Sequence, residues 1–149
     1  MQRRSILLLG FALALVLGST APAQGASRTV WSGLVIANNV EQPDAIPAEL
    51  NPLEGTLKNL FGYNQFKVIG QSRKALVSGS EDWLASSKYF SLHVDSRRSD
   101  DAGYVLTLKL FQEKNLLLET DAKLSKASPL VIKGPQVGDG QLLLVLVVQ

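Results

Sequence analysis

Residues 104–124 read YVLTLKLFQEKNLLLETDAKL, and this stretch decides the fold. Tyr104, Leu106, Leu108 and Leu110 alternate with Val105, Thr107, Lys109 and Phe111, the period of two that a half-buried strand requires. Lys114 and Asn115 then give a tight turn, because Asn tolerates a positive φ. Beyond it Leu116, Leu118, Ala122 and Leu124 share one face, while Leu117, Glu119, Asp121 and Lys123 share the other, mostly polar, face. Two segments of matched period joined by such a turn predict an antiparallel hairpin.

The same period extends in both directions. Phe90, Leu92 and Val94 face one way, with Tyr89, Ser91, His93 and Asp95 facing the other, and the polar residues 97–103 make the connecting loop. Earlier, Phe66 and Val68 begin a strand that continues through Lys74, Ala75, Leu76 and Val77, and residues 78–82 form a turn. Residues 29–37, TVWSGLVIA, are apolar on both faces, which suits a strand covered on both sides. Residues 38–47 carry two Pro and two Asn and form a loop. After a short strand at 130–133 and the Gly-rich loop 134–140, the chain ends in a run of seven apolar residues at 142–148. A run apolar at every position predicts the centre of a sheet.

One helix interrupts this pattern, near 52–61. Asn51 can accept from the first-turn amides, Pro52 at the first helical position gives up an amide without a partner, and Glu54 can reach back to the cap. Leu53, Leu57, Leu60 and Phe61 would form its apolar face, Pro47 could open an earlier turn, and Gly62 is the stop. About seven strands and one short capped helix predict an α+β domain, a mostly antiparallel sheet or sandwich, over residues 24–149.

The first 23 residues read as a signal peptide. Arg3 and Arg4 precede an apolar run at 6–18, and the small residues up to Ala23 supply a cleavage site. The run is short of the ~20 residues a membrane-spanning helix needs, and no longer one follows. The expected location is therefore periplasmic or extracellular, with no transmembrane segment after cleavage. The Arg pair also fits the twin-arginine signature, but the short basic region and the Leu-rich run favour general secretion. Removal of these two from the 15 basic residues leaves 13, against 13 acidic ones. The mature chain is formally neutral, which argues against nucleic acid as a partner.

The chain contains no Cys, which excludes disulfides, thiolate metal sites and thiol nucleophiles. Ser91, His93 and Asp95 have the residue types of a hydrolase triad, yet residues two apart on one strand sit roughly 6.6 to 6.8 Å apart with parallel side chains. A relay needs two linked hydrogen bonds and an oxyanion hole, so a polar outer face is the expected reading. His93 is the single histidine, too little for a metal site by itself. Asp95, Asp100 and Asp101 lack the alternating ligand spacing of a calcium loop and have Arg97 and Arg98 among them. The glycines of 134–140 precede a strand, whereas a phosphate cradle precedes a helix. The expectation is no catalytic set, no metal and no cofactor.

The aromatic residues carry the functional expectation. Phe61, Tyr63 and Phe66 straddle the helix end, where packing of helix on sheet accounts for them. Tyr63, Trp83 and Tyr89 are the candidate interaction surface, should they converge. The strand and capped helix, the F-G-Y-x-x-F stretch from Phe61 to Phe66, the Lys114-Asn115 hairpin and the final Gly-x-Leu-Leu run are similar to small exported bacterial proteins. That resemblance covers most of residues 28–149 and implies a bacterial origin and an envelope location. No catalytic residue comes with it.

The leading expectation is a non-enzymatic module that binds or scaffolds another envelope protein, with secretion or surface-assembly machinery as a partner class and free strand edges as acceptors. A small-ligand or glycan-binding module is the alternative, and an envelope hydrolase using His93 is the third reading. Mass spectrometry of the exported protein is expected to find Gln24 as the first residue. Changing Arg3 and Arg4 together to Lys should leave export intact, since general secretion needs only positive charge there, whereas loss of export would indicate the twin-arginine route.

Overall fold

The computed structural model describes residues 28–149, so the expected signal peptide and cleavage site lie outside the described residues. Eight strands form two four-stranded antiparallel sheets packed as a sandwich. The first sheet has the order β2-β1-β8-β7, built from β1 (Val30–Asn38), β2 (Gln65–Lys74), β7 (Leu130–Val137) and β8 (Gly140–Val148). The second keeps chain order: β3 (Ser80–Ser86), β4 (Phe90–Asp100), β5 (Gly103–Gln112) and β6 (Asn115–Leu124). Successive strands are neighbours throughout and β8 returns to β1, so the path is an up-and-down meander wound into a flattened ring.

Alternation along each strand sorts the apolar residues into two cores. Between the sheets lie Leu34, Leu92, Leu106, Leu108, Leu110, Leu142, Leu144 and Leu146, all buried. On the other side of the first sheet, Trp31, Val35, Leu143 and Val145 are covered by Leu50, Leu53 and Leu57 from the β1–β2 connection. Within that connection a 3₁₀ turn, Ala48–Leu53, leads into one α-helix, α1 (Glu54–Phe61). Asn64 holds the preceding loop in place. Its side-chain oxygen accepts from the Val40 amide and its side-chain nitrogen donates to the Val40 carbonyl, at 2.9 and 2.8 Å.

Trp31 is the largest side chain of this second core and is fully buried. Its indole lies over Gly33, two residues along the same face, and a Cβ on Gly33 would collide with the outer carbons of the ring. The indole N–H donates to the Gln71 side chain on β2 at 2.9 Å, which satisfies the ring's polar atom.

Several sequence expectations are corrected. There are eight strands rather than seven, because Ser80, Glu81 and Asp82, assigned to a turn, open β3. Their polarity is that of a strand at the end of a sheet with one face in water. β4 runs on to Asp100 and β7 to Val137 through residues expected as loops, since hairpin pairing continues where the apolar alternation has stopped. The Asn51 cap does not form. The 3₁₀ turn begins after Pro47, α1 has no side-chain cap, and Glu54 instead pairs with Lys58 at 2.7 Å, one turn on. Leu60 is exposed, and Leu50 takes its expected place over the sheet. The β5–β6 turn is Glu113-Lys114, with Glu113 at φ 55°, and Asn115 already pairs with Gln112. A register shift between Leu110 and Phe111 then places Leu116 opposite Phe111, on the outer face.

The fit of Trp31 over Gly33 yields a stability prediction. Gly33→Ala forces the indole from its place, and overpacking of this kind is expected to lower unfolding free energy by about 1–3 kcal/mol. Trp31→Ala should lower it by about 3–5 kcal/mol. Urea unfolding of both variants measures these losses.

Candidate functional site

The two outer faces of the sandwich differ. The first sheet is covered by the 3₁₀ turn and α1, whereas no element of the described residues covers the second. On that open face Trp83 of β3 pairs with His93 of β4, Ser91 of β4 pairs with Phe111 of β5, and Phe111 pairs with Leu116 of β6. Diagonal neighbours on one face of a sheet are within reach of aromatic side chains. The result is a row of Trp83, His93, Phe111 and Leu116 crossing all four strands.

The row is held by ring contacts. Trp83 meets His93 edge to face, with centroids 4.9 Å apart and planes at 69°, and it meets Phe111 at 5.7 Å and 58°. A register shift between Trp83 and Ala85 allows Trp83 to point outward while Leu84 and Ala85 are buried. Trp83 remains 49% exposed, as does Leu116. Under the indole, His93 keeps 14% of its side-chain surface, and its Nε2 lies 3.2 Å from Glu81 Oε1, while its Nδ1 is buried without a partner.

This geometry separates the residues that resembled a triad. Among the described residues, no hydrogen bond joins Ser91 to His93 or His93 to Asp95, and the histidine nitrogen that has a partner faces Glu81. The arrangement provides a shielded imidazole next to a carboxylate, but no nucleophile on it. The carboxylates considered for calcium do not gather either. Asp95 pairs with Thr107 in mid-strand and Asp100 with Gly103 at the far end of β4, where its carboxylate accepts from the Ala102 amide at 2.9 Å.

Of the three aromatic residues singled out from sequence, Tyr63 packs against the helix-side core of the first sheet. Trp83 stands on the open face of the second, and the structure does not bring the two together. Tyr89 is exposed in the β3–β4 connection, with Lys88 Nζ 5.3 Å from its ring centroid. It borders an apolar depression of about 360 Å³ at one end of the sandwich, lined also by Ile36, Ile69, Phe90 and Val137. Phe111 and Leu116 were missed as members of the row. The alternation of β5 already turned Phe111 outward, but only the register shift brings Leu116 beside it.

Beside the row, β3 is fastened to β2. Lys74 Nζ donates to Asp82 Oδ1 at 3.1 Å and to the Trp83 carbonyl at 2.7 Å. The lysine hydrogen bond, aided by the Trp83 amide, holds the Asp82 carboxyl below its ordinary value. Comparison of the chain with family models, with curated proteins and with solved structures finds no match.

A lowered carboxyl pKa stabilises the fold above the ordinary carboxylate value, and that contribution is lost as pH falls through the lowered one. Asp82 is therefore expected to titrate below a free aspartate in a carboxyl-carbon NMR titration. In Lys74→Met its midpoint should move back up, and an unchanged midpoint would show that the lysine is not the cause.

Proposed function

We propose that this chain is an exported, non-enzymatic protein of a bacterial cell envelope that binds or scaffolds another envelope protein through the open face of the second sheet. The observation that carries this reading is the row of Trp83, Phe111 and Leu116 on a face with no covering layer, continued by the exposed Leu117. The same kind of face on the first sheet is closed by α1, so apolar residues there serve the fold. On the second sheet they add to a sandwich whose core is already filled by the leucines between the sheets. A contiguous exposed aromatic and aliphatic strip rimmed by charge is the composition of a protein interface, with Trp the commonest anchor. Glu81, Lys109 and Glu119 supply that rim.

A glycan-binding reading draws on one feature, the half-exposed Trp83 ring beside the exposed Glu81 carboxylate, since sugars stack on rings and hydrogen-bond to adjacent acids. The greater part of the row, from Phe111 to Leu117, offers a sugar no hydrogen bond. That extent favours a protein.

A photo-reactive amino acid at position 117, activated in intact producing cells, is expected to give one dominant adduct with an envelope protein. Trp83→Ala should reduce it by about tenfold or more, the effect of losing an anchor residue. An adduct indifferent to Trp83, or recovery of the protein alone at every expression level, contradicts the reading. Sedimentation with purified cell-wall glycan, lost in Trp83→Ala, would favour the glycan instead.

A further inference from the structure

The layer between the two sheets is closed at one end and open at the other. Where β1 begins and β8 finishes, Val30, Leu76, Tyr104 and Val148 are buried, and the Arg28 guanidinium lies over the Tyr104 ring, 5.6 Å from its centroid. At the opposite end Ile36, Ile69 and Val137 pack against the same layer but remain only partly buried. Together with Phe90 and Tyr89 they line the depression of about 360 Å³. The core thus continues outward into an apolar concavity.

The β3–β4 connection, residues 87–89, forms the lip of this concavity, and its polar groups are already engaged. The Ser87 amide donates to the Phe90 carbonyl at 2.7 Å, and the Phe90 amide donates to the Ser87 hydroxyl at 3.1 Å. The Glu113 amide donates to the Tyr89 carbonyl at 3.0 Å, which fastens the lip to the β5–β6 turn. One group on the lip stays available. Lys88 Nζ stands 5.3 Å from the Tyr89 ring centroid and, among the described residues, is in no ion pair. It is the one charged side chain lining the depression, and Glu113 and Asp139 of the neighbouring turns do not line it.

We propose that this end of the sandwich binds a free fatty acid of medium chain length, its chain laid over Ile36, Ile69 and Val137 and its carboxylate beside Lys88. The site is separate from the row of Trp83 and goes beyond the reading that the chain binds a protein. The lining selects the occupant. A sugar or a peptide buried here would lose hydrogen bonds to water that these side chains do not replace, whereas an aliphatic chain has none to lose. The volume lies at the small end of the ~300–1,000 Å³ range of ligand sites, which suits one chain rather than two. A single ammonium matches a single carboxylate, while an anionic bilayer is held by clusters of basic residues. Burial of the chain supplies most of the affinity, and Lys88 decides the sign of the head group, because an exposed ion pair contributes little by itself.

The probes are hexanoate, octanoate and decanoate, with decylammonium as the control of opposite charge, added to the purified protein and followed by methyl and backbone NMR in low salt. Decanoate is expected to shift the methyls of Ile36, Ile69 and Val137. Each pair of added methylenes should tighten binding by about tenfold. Lys88→Glu, an exposed change that leaves folding undisturbed, should weaken decanoate by about fivefold or more and make decylammonium the better ligand. Val137→Thr, which sets a hydroxyl in the apolar wall at nearly constant volume, should weaken both ligands. Trp83→Ala should leave both unchanged. No binding at millimolar concentration, affinity independent of chain length, indifference to Lys88→Glu, or shifts centred on Trp83 and Phe111 overturns the proposal. Sedimentation with phosphatidylglycerol vesicles, lost in Lys88→Glu while free decanoate does not bind, would make a membrane the occupant and also overturn it. If decanoate binds as described but no envelope protein is captured through Trp83, the fatty-acid site stands and the protein interface falls.

Discussion

The structure depends on the pairing of β1 with β8 at the centre of the first sheet. Both strands are buried on both faces over most of their length. Burial of apolar area is the dominant favourable contribution to folding, so two central strands without a polar face require two covering layers. The second sheet covers one face through Leu92, Leu106, Leu108 and Leu110. The 3₁₀ turn and α1 cover the other through Leu50, Leu53 and Leu57. The remaining strands extend or close this arrangement, and Trp31, lying over Gly33, is the largest side chain of the helix-side core.

This constraint was legible because it is written as composition. The seven apolar residues of 142–148 admit no solvent face, and residues 29–37 are nearly as uniform. The alternations in β4 and β5 were equally readable, since one face of each lies on the core. What could not be read were features set by pairing alone. β3 carries Ser80, Glu81 and Asp82 because it is an edge, and polar edge strands have the composition of turns. The shift beside Phe111 reverses the side of Leu116 without any Gly or Pro to announce it. The Asn51 cap gives way to a 3₁₀ turn that begins after Pro47, as the earlier opening at Pro47 allowed, and what the local signals did not show is that Leu50 packs against the sheet.

The same pairing explains why the candidate site was only partly visible. Trp83 was legible only as one of three aromatic residues that would form a surface if they converged, while its neighbours His93 and Phe111 come from two further strands and meet it by register. Tyr63 belongs to the helix-side layer because it follows Gly62 directly at the end of α1. The asymmetry of the fold thus sorts its aromatic residues. Those near the helix complete a layer, Phe90 and Tyr104 enter the core between the sheets, and Trp83 and Phe111 stand on the open side of the second sheet.

Native-state hydrogen exchange tests the central claim most directly. If the β1–β8 pair supports both layers, the amides of residues 142–146 exchange only through global unfolding, with the free energy obtained from urea denaturation, while amides of β6 open at lower cost. Exchange of 142–146 at or above the rate of β6 would contradict the account, because the doubly covered pair would then not be the element on which the rest depends.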